Sequence, residues 1–339
     1  MNKVLIIAEA GVNHNGDMAI AMQLVDAAAK AGADYVKFQT FKAEDLVSRS
    51  AKKADYQVAN TGNDDSQFAM LKKLELSEED HLILIEHCKK NKVKFLSSAF
   101  DPSSLDILNA MGMELFKIPS GEITNYPYLV KVASYRKPVI LSTGMSTMEE
   151  ISAALDVLLK NGLSKKDIII LHCTTEYPAP MQDVNLLAMQ TIQKEFQVEV
   201  GYSDHTIGIE IPIAAVALGA TVIEKHFTLD KKMEGPDHKA SLEPKELKAM
   251  VAAIRNIEVA LGDGVKKLTE VEKKNSLVVR KSVHYAKDLD AGHVIGNTDV
   301  SLKRPGSGFP ASKLSDIVGK KLSKAVKTDE MVSPEDLIE

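Results

Sequence analysis

The sequence predicts a (β/α)₈ barrel of the TIM class followed by a small β-rich domain. Three observations predict it: apolar, β-branched runs alternate with helical periodicity, there are eight such runs, and the texture changes near residue 280.

The recurring unit is a helical stretch that stops at Gly or Asn and passes into a short buried run. KAGADYVKFQT (30–40), NAMGMELFKIPSG (109–121) and ALGATVIEKHFT (217–228) are examples. In each, glycine ends the helix and the following run suits a parallel strand covered on both faces. The eight runs fall at 4–9, 35–40, 94–99, 115–119, 139–142, 168–172, 199–203 and 221–227. Helical patterns such as 18–31, 147–160 and 209–218 separate them. Eight alternating strands favour a closed barrel over an open doubly wound sheet. An open sheet usually carries a glycine-rich phosphate fingerprint after its first strand, and Gly11-Val12-Asn13-His14-Asn15-Gly16 does not fit one.

One connection is too long. Residues 41–93 carry two helical patterns, 66–74 and 77–91, after a polar, irregular stretch at 43–65. Long loops in compact domains are commonly functional, and this one leaves the C-terminal end of the second strand, the active-site face of a barrel. The last barrel helix covers 243–261, with Gly262-Asp263-Gly264 as its stop. The expected organisation is therefore a catalytic barrel at 1–264, a charged linker at 265–279 and a small domain at 280–339. The last contains the turn Asp290-Ala291-Gly292 and the loop Arg304-Pro305-Gly306-Ser307-Gly308. So short a domain has a thin core and should lean on the barrel or on a neighbouring subunit.

Composition agrees. The 339 residues, 45% hydrophobic and 26% charged, suffice for a barrel-sized core plus a small domain. A formal net charge of -5 argues against a nucleic-acid partner, which wants a basic face. No apolar run approaches membrane-spanning length. The N-terminal MNKVLIIAEAGVNHNGD reads as a first strand entering a polar turn, not as a signal peptide. Cys88 and Cys173 have neither metal nor redox spacing, so a reduced cytoplasmic protein is expected.

The C-terminal strand ends of such a barrel form its active site. Here they read Glu9, Lys37 with Gln39, Ser98, Lys117 with Ser120 and Glu122, Ser142, His172 with Thr174, Ser203 with Asp204 and His205, and Glu224 with His226. A lone lysine in an apolar run is usually an edge or snorkelling residue. Two at inner mouth positions need anionic partners, either a small anion or an internal carboxylate such as Glu9 or Glu122. Lysines beside serine hydroxyls suit phosphate and carboxylate, and an anionic substrate is the favoured reading. His205 and His226, ending adjacent strands near carboxylates, are metal candidates, with structural hydrogen bonding as the alternative. Cys173 reads as a packed thiol.

AEAGVNHNGD (8–17), VKFQTFKAEDLVS (36–48), FKIPSGEITN (116–125), ILSTGM (140–145), LHCTTEYPAP (171–180), GYSDHT (201–206), IEKHFTLD (223–230) and GPDHKAS (235–241) together resemble the sialic acid synthase family, including its legionaminic acid branch. KRPGSG (303–308) is similar to that family's antifreeze-like (SAF, β-clip) domain. The resemblance implies condensation of phosphoenolpyruvate with N-acetylmannosamine and water to N-acetylneuraminate and phosphate, or with 2,4-diacetamido-2,4,6-trideoxymannose to legionaminic acid. It implies that Lys37, Lys117, Ser120, Ser142 and Ser203 cradle phosphoenolpyruvate. Thr174-Thr175 stands where some members carry an Asn contact, so Thr175 joins the expected substrate set. His205 and His226 would hold a divalent metal, Mn²⁺ first, with Mg²⁺ or Co²⁺ as alternatives. Glu9, Ser98, Glu122, Tyr177 and Asp237 would surround the sugar and the proton transfers, with Glu9 or Glu122 as the base. His226 is counted with the catalytic groups as well as the metal ligands. Arg304 would arrive from the partner subunit of a domain-swapped homodimer and touch the N-acetyl group.

Two rivals are weaker. A barrel acting on phosphorylated aldoses would need a second phosphate cluster, and none of Arg49, Arg136, Arg255, Arg280 and Arg304 lies at a strand end. An ice- or polymer-binding protein would want a flat, regular face, yet 280–339 has only Thr298 and Thr328 among many lysines.

Overall fold

Eight parallel strands hydrogen-bond in chain order and the last closes on the first. They are β1 (Leu5–Gly11), β2 (Tyr35–Thr40), β3 (Lys94–Ala99), β4 (Phe116–Ile118), β5 (Val139–Ser142), β6 (Ile168–His172), β7 (Glu199–Asp204) and β8 (Val222–His226). The structure is a computed structural model that describes residues 3–61 and 66–338.

Helix α1 (Met18–Ala31) follows β1, capped by the Asp17 carboxylate and stopped by Gly32 at φ 86°. Between β2 and β3 run α2 (Ala43–Leu46), α3 (Asp55–Thr61), α4 (Gln67–Leu74) and α5 (Glu78–Asn91). Ser66 and Ser77 cap α4 and α5. The stretch at 43–65, expected to be irregular, thus carries α2 and α3, which are too short to show a period. Residues 62–65 of that stretch lie outside the described residues. One helix then follows each strand: α6 (Pro102–Ala110), α7 (Tyr126–Ser134), α8 (Met148–Lys160), α9 (Leu187–Phe196), α10 (Glu210–Ala217) and α11 (Pro244–Leu261). No helix among the described residues is long and apolar enough to cross a membrane.

The barrel interior changes character along its axis. Ile7, Tyr35, Leu96, Ile140, Leu171 and Val222 form an apolar plug with Leu115 packed against it. Side chains on one strand face recur every second residue. The next inward positions are therefore Glu9, Lys37, Ser98, Lys117, Ser142 and Glu224, all buried. The plug seals the barrel from below and leaves this polar ring at its mouth.

The chain divides into two compact units, Met1–Asp263 and Gly264–Glu339. Residues 265–279, expected as a linker, hold helix α12 (Glu270–Val279), started by a Thr269–Glu272 capping box and counted with the second unit. That unit pairs β9 (Ser282–Tyr285) with β10 (Val300–Lys303) and β11 (Lys321–Leu322) with β12 (Leu337–Ile338), both antiparallel. Its core is the expected thin one: Val283, Tyr285, Leu289, Ile295, Ile317, Leu322, Val326 and Val332. Arg304 follows β10 and is exposed. Its loop is held where the Gly306 N–H donates to Leu277 O at 2.8 Å and Ser282 Oγ donates to Pro305 O at 2.6 Å.

Candidate active site

A cavity of about 310 Å³ opens over the polar ring. Strand register sets neighbours: Glu9 lies beside both Lys37 and His226, Ser98 beside Lys117, and Ser203 beside Glu224. Gly11, at φ 54° after an irregularity in β1, lets the backbone turn there, and a Cβ would meet Glu9, Gln39 and His226 at 3.4 Å.

Two lysines and two carboxylates share the floor. Lys37 Nζ lies 2.8 Å from Glu9 Oε2 and 3.5 Å from Glu224 Oε2, and donates to Ser98 Oγ at 3.0 Å. Lys117 Nζ lies 3.3 Å from Glu224 Oε1 and donates to Ser142 Oγ at 2.8 Å. Ser203 Oγ donates to Glu224 Oε1 at 2.8 Å. The internal pairing weighed from the sequence is therefore present, through Glu9 and Glu224 and not through Glu122.

The carboxylates are unequal. Burial pushes the Glu9 carboxyl up to about 7, since Lys37 only partly offsets desolvation and Glu224 adds repulsion. Burial also opposes ionisation of Glu224, but Lys117 and Lys37 together outweigh it and hold this carboxyl well below the usual range. Glu224 is the fixed anion, and Glu9 is the group poised to exchange a proton near neutrality. Burial lowers Lys117, whereas Glu224 and Glu9 overcome burial at Lys37 and raise it.

The other side of the mouth is aromatic. The Tyr177 ring lies 4.2 Å from the His205 ring and 5.5 Å from that of His226, and the two imidazoles are 5.5 Å apart. Burial lowers both histidines, His226 strongly, so both are neutral. His205 Nδ1 meets Thr174 O at 2.5 Å, which places its proton there and leaves Nε2 as the lone-pair nitrogen. His226 Nδ1 is buried without a hydrogen-bond partner, 3.8 Å from Asp237 Oδ2. Burial raises Asp237 to about 6. Two neutral imidazoles, one with an orphaned nitrogen, beside a carboxylate fit a borderline divalent cation. Among the described residues, no group of three or more His, Cys, Asp or Glu side chains forms a complete protein ligand set.

The structure gathers most of the predicted residues. Glu9, Lys37, Ser98, Lys117, Ser120, Ser142, Tyr177, Ser203, His205, His226 and Asp237 line this one cavity. Two residues of the barrel do not join them. Glu122 ends a one-turn 3₁₀ helix, Ser120–Glu122, that carries it off the strand axis, and it accepts from Asn125 Nδ2 at 2.6 Å. Thr175 lines a separate cavity with Met145 and His172, while the Thr174 carbonyl holds His205 Nδ1. Arg304 belongs to the second unit. Asp204, read as a mouth residue, points to the outer face, where it pairs with Lys225 at 2.6 Å. His172 Nε2–H donates to Val184 O at 2.9 Å, as a structural residue. Cys173 touches the cavity, but burial raises its thiol, as a packed cysteine requires. Sequence reasoning left Glu224 without a role, although alternation along β8 puts it on the same face as His226. It placed the long β2–β3 insertion at the active-site face but named none of the residues it brings to the lining: Leu46, Val47, Gln57, Gln67, Met70, Leu71 and Leu74.

Comparison with known proteins places this site in context. The NeuB family profile matches residues 24–266, and the SAF domain profile matches 280–338. The chain is 55% identical to the N,N'-diacetyllegionaminic acid synthase of Campylobacter jejuni, over 98% of this chain and 99% of that protein. It is 51% identical to the enzyme of the same name from Legionella pneumophila, over 94% and 90%. Among solved structures, the N-acetylneuraminic acid synthetase of Leptospira borgpetersenii, crystallised with citrate, superposes with a TM-score of 0.71 at 36% identity, over 81% of this chain and 90% of that one. By profile and by identity along its whole length, the chain belongs to the NeuB family.

Proposed function

We propose that this chain is a nonulosonic acid synthase that joins phosphoenolpyruvate to an open-chain acetamido sugar, with 2,4-diacetamido-2,4,6-trideoxymannose as acceptor. The observation that carries the chemistry is the buried Lys37–Lys117–Glu9–Glu224 floor facing two neutral imidazoles in one cavity. Of the two sugars left open by the resemblance, 55% identity to a legionaminic acid synthase, against 36% to an N-acetylneuraminic acid synthetase, supports the deoxy sugar over N-acetylmannosamine.

In this reading Lys37 and Lys117 bind the phosphate and carboxylate, with Ser120, Ser142 and Ser203 as hydroxyl partners. Exchange of internal carboxylate contacts for substrate anions is eased because the two lysines share Glu9 and Glu224 across contacts of 2.8 to 3.5 Å beside the open cavity. C3 of phosphoenolpyruvate forms a bond to the aldehyde carbon as the C=O π bond breaks, and the aldehyde oxygen becomes a hydroxyl with the proton released by the water that adds at C2. Water then adds at C2, with Glu9 taking its proton at a carboxylate oxygen. The hemiketal phosphate loses phosphate by C–O cleavage and leaves the keto acid. His205 and His226 would hold the divalent cation, Mn²⁺ first, and bound there it supplies Lewis acidity toward the aldehyde oxygen. Asp237 and Tyr177 orient the sugar beside them. We also read the protein as a cytoplasmic homodimer in which Arg304 of the partner completes the sugar pocket. The exposed arginine on a pinned loop supports this.

Phosphate release from phosphoenolpyruvate, measured with each sugar in turn, tests the reading. Release that needs the deoxy sugar, is abolished by exhaustive chelation and is restored by Mn²⁺ better than by Zn²⁺ supports it. Sugar-independent release, or full activity in metal-free protein, overturns it. His205→Ala is expected to lose bound metal by elemental analysis together with turnover.

A further inference from the structure

The cavity has two unlike linings. Its charged residues come from the strand ends and the connection after β8. The part supplied by the β2–β3 insertion is different: Leu46, Val47, Met70, Leu71 and Leu74, with the amides of Gln57 and Gln67. This surface is built, not loose. Met70 and Leu74 are packed with Val12 and Phe41 into a buried cluster, against which Leu46, Leu71 and Phe100 lie partly buried. The Ala43 N–H donates to Glu75 Oε1 at 2.6 Å, which ties the start of α2 to the end of α4. Asn60 Nδ2 donates to Pro236 O at 2.7 Å, which fixes α3 to the connection that carries Asp237. Among the described residues, the insertion sends no lysine or arginine into the cavity.

A surface of aliphatic side chains broken by two amides is a poor partner for a phosphorylated or fully hydroxylated sugar tail. Each hydroxyl placed against it loses water without gaining a partner. It is a good partner for methyl groups, with the amides available to acetamido N–H and C=O groups. We propose that Leu46, Val47 and Leu71 form the specificity wall of the acceptor subsite, selecting a sugar whose far end carries a methyl group and a second acetamido group. This rests on the condensation reading above and assigns its acceptor preference to named residues.

The test is a ratio. The kcat/KM for 2,4-diacetamido-2,4,6-trideoxymannose is divided by that for N-acetylmannosamine in the native chain, in Val47→Thr and in Leu71→Asn. A hydrophobic pocket discriminates against an added hydroxyl by up to about 10²-fold, so the native ratio is expected in that range. Either variant should lower the ratio at least about tenfold, mainly through KM of the deoxy sugar. Val47→Thr changes a methyl for a hydroxyl at nearly constant volume, which keeps the test valid if Leu71→Asn folds poorly. A native preference for the deoxy sugar that neither variant moves, or an equal loss for both sugars, overturns the wall and leaves the condensation intact. A native preference for N-acetylmannosamine overturns the wall together with the sugar assignment. No sugar-dependent phosphate release overturns the underlying activity and the wall with it.

Discussion

The barrel buries lysine in two ways, and β8 takes part in both, through Lys225 on one face and Glu224 on the other. On its outer face, Lys225 is fully buried and Nζ contacts Asp204 Oδ2 at 2.6 Å and the Thr206 carbonyl. Asp204 in turn accepts from the Thr206 N–H at 3.0 Å and from its hydroxyl at 3.1 Å. One cation meets one anion, and both carboxylate oxygens are used. On the inner face, two lysines share two carboxylates across contacts of 2.8 to 3.5 Å, beside an open cavity. One carboxylate, Glu9, can be neutralised near physiological pH. A saturated pair holds the loop that carries His205 in place, and an unsaturated cluster can trade partners with a substrate.

The largest expected effect sharpens the inner half of that contrast. A general base must be ionised, and the Glu9 carboxyl is raised from 4.5 to about 7. The rate is therefore full above that pH and lost as pH falls through it, not near 4.5. Glu9→Gln should lower kcat by about 10²- to 10⁴-fold and flatten the acid limb of the kcat/KM profile. A native profile level down to pH 5 would remove Glu9 from this role.

Next comes the outer pair. Lys225→Met leaves Asp204 as a buried, uncompensated charge and should cost roughly 3–5 kcal/mol in urea unfolding. Lys117→Met, on the inner face, should leave unfolding near native and raise the KM for phosphoenolpyruvate about 10- to 100-fold, the loss of one or two charge-assisted hydrogen bonds. If the two variants behave alike, the distinction between a sealed pair and an exchangeable cluster fails.

The smallest effect concerns the second unit. Arg304→Ala should weaken sugar KM about tenfold with little change for phosphoenolpyruvate, as expected for one hydrogen bond from a charged group. Mixing Arg304→Ala with Lys117→Met protein should restore activity, because a mixed dimer with reciprocal exchange contains one intact site. No recovery despite demonstrated subunit exchange would refute the swapped arrangement and leave the barrel chemistry untouched.

The contrast also explains what could be read from sequence. Strand periodicity is a strong signal, so β2, β3, β5 and β6 fall where the apolar runs predicted, and Glu9, Lys37, Lys117 and His226 come together as expected. The same alternation could have separated Asp204 and Lys225 from Ser203 and Glu224, since adjacent residues face opposite sides. Beyond the strand ends the signal fades. Glu122 and Thr175 sit in turns whose direction depends on local bonds, such as Glu122 with Asn125, and no period reports those. The apolar wall comes from helices as short as four residues, whose pattern is lost among polar neighbours.

The central claim is that the barrel mouth forms a carbon–carbon bond at C3 of phosphoenolpyruvate and then hydrates C2. Phosphoenolpyruvate labelled with ¹⁸O in the bridging position tests it directly, in a reaction with Mn²⁺ and the deoxy sugar analysed by mass spectrometry. The account predicts that the label leaves in inorganic phosphate, with one keto acid formed per phosphate. Label retained in the organic product would mean attack at phosphorus and would contradict it.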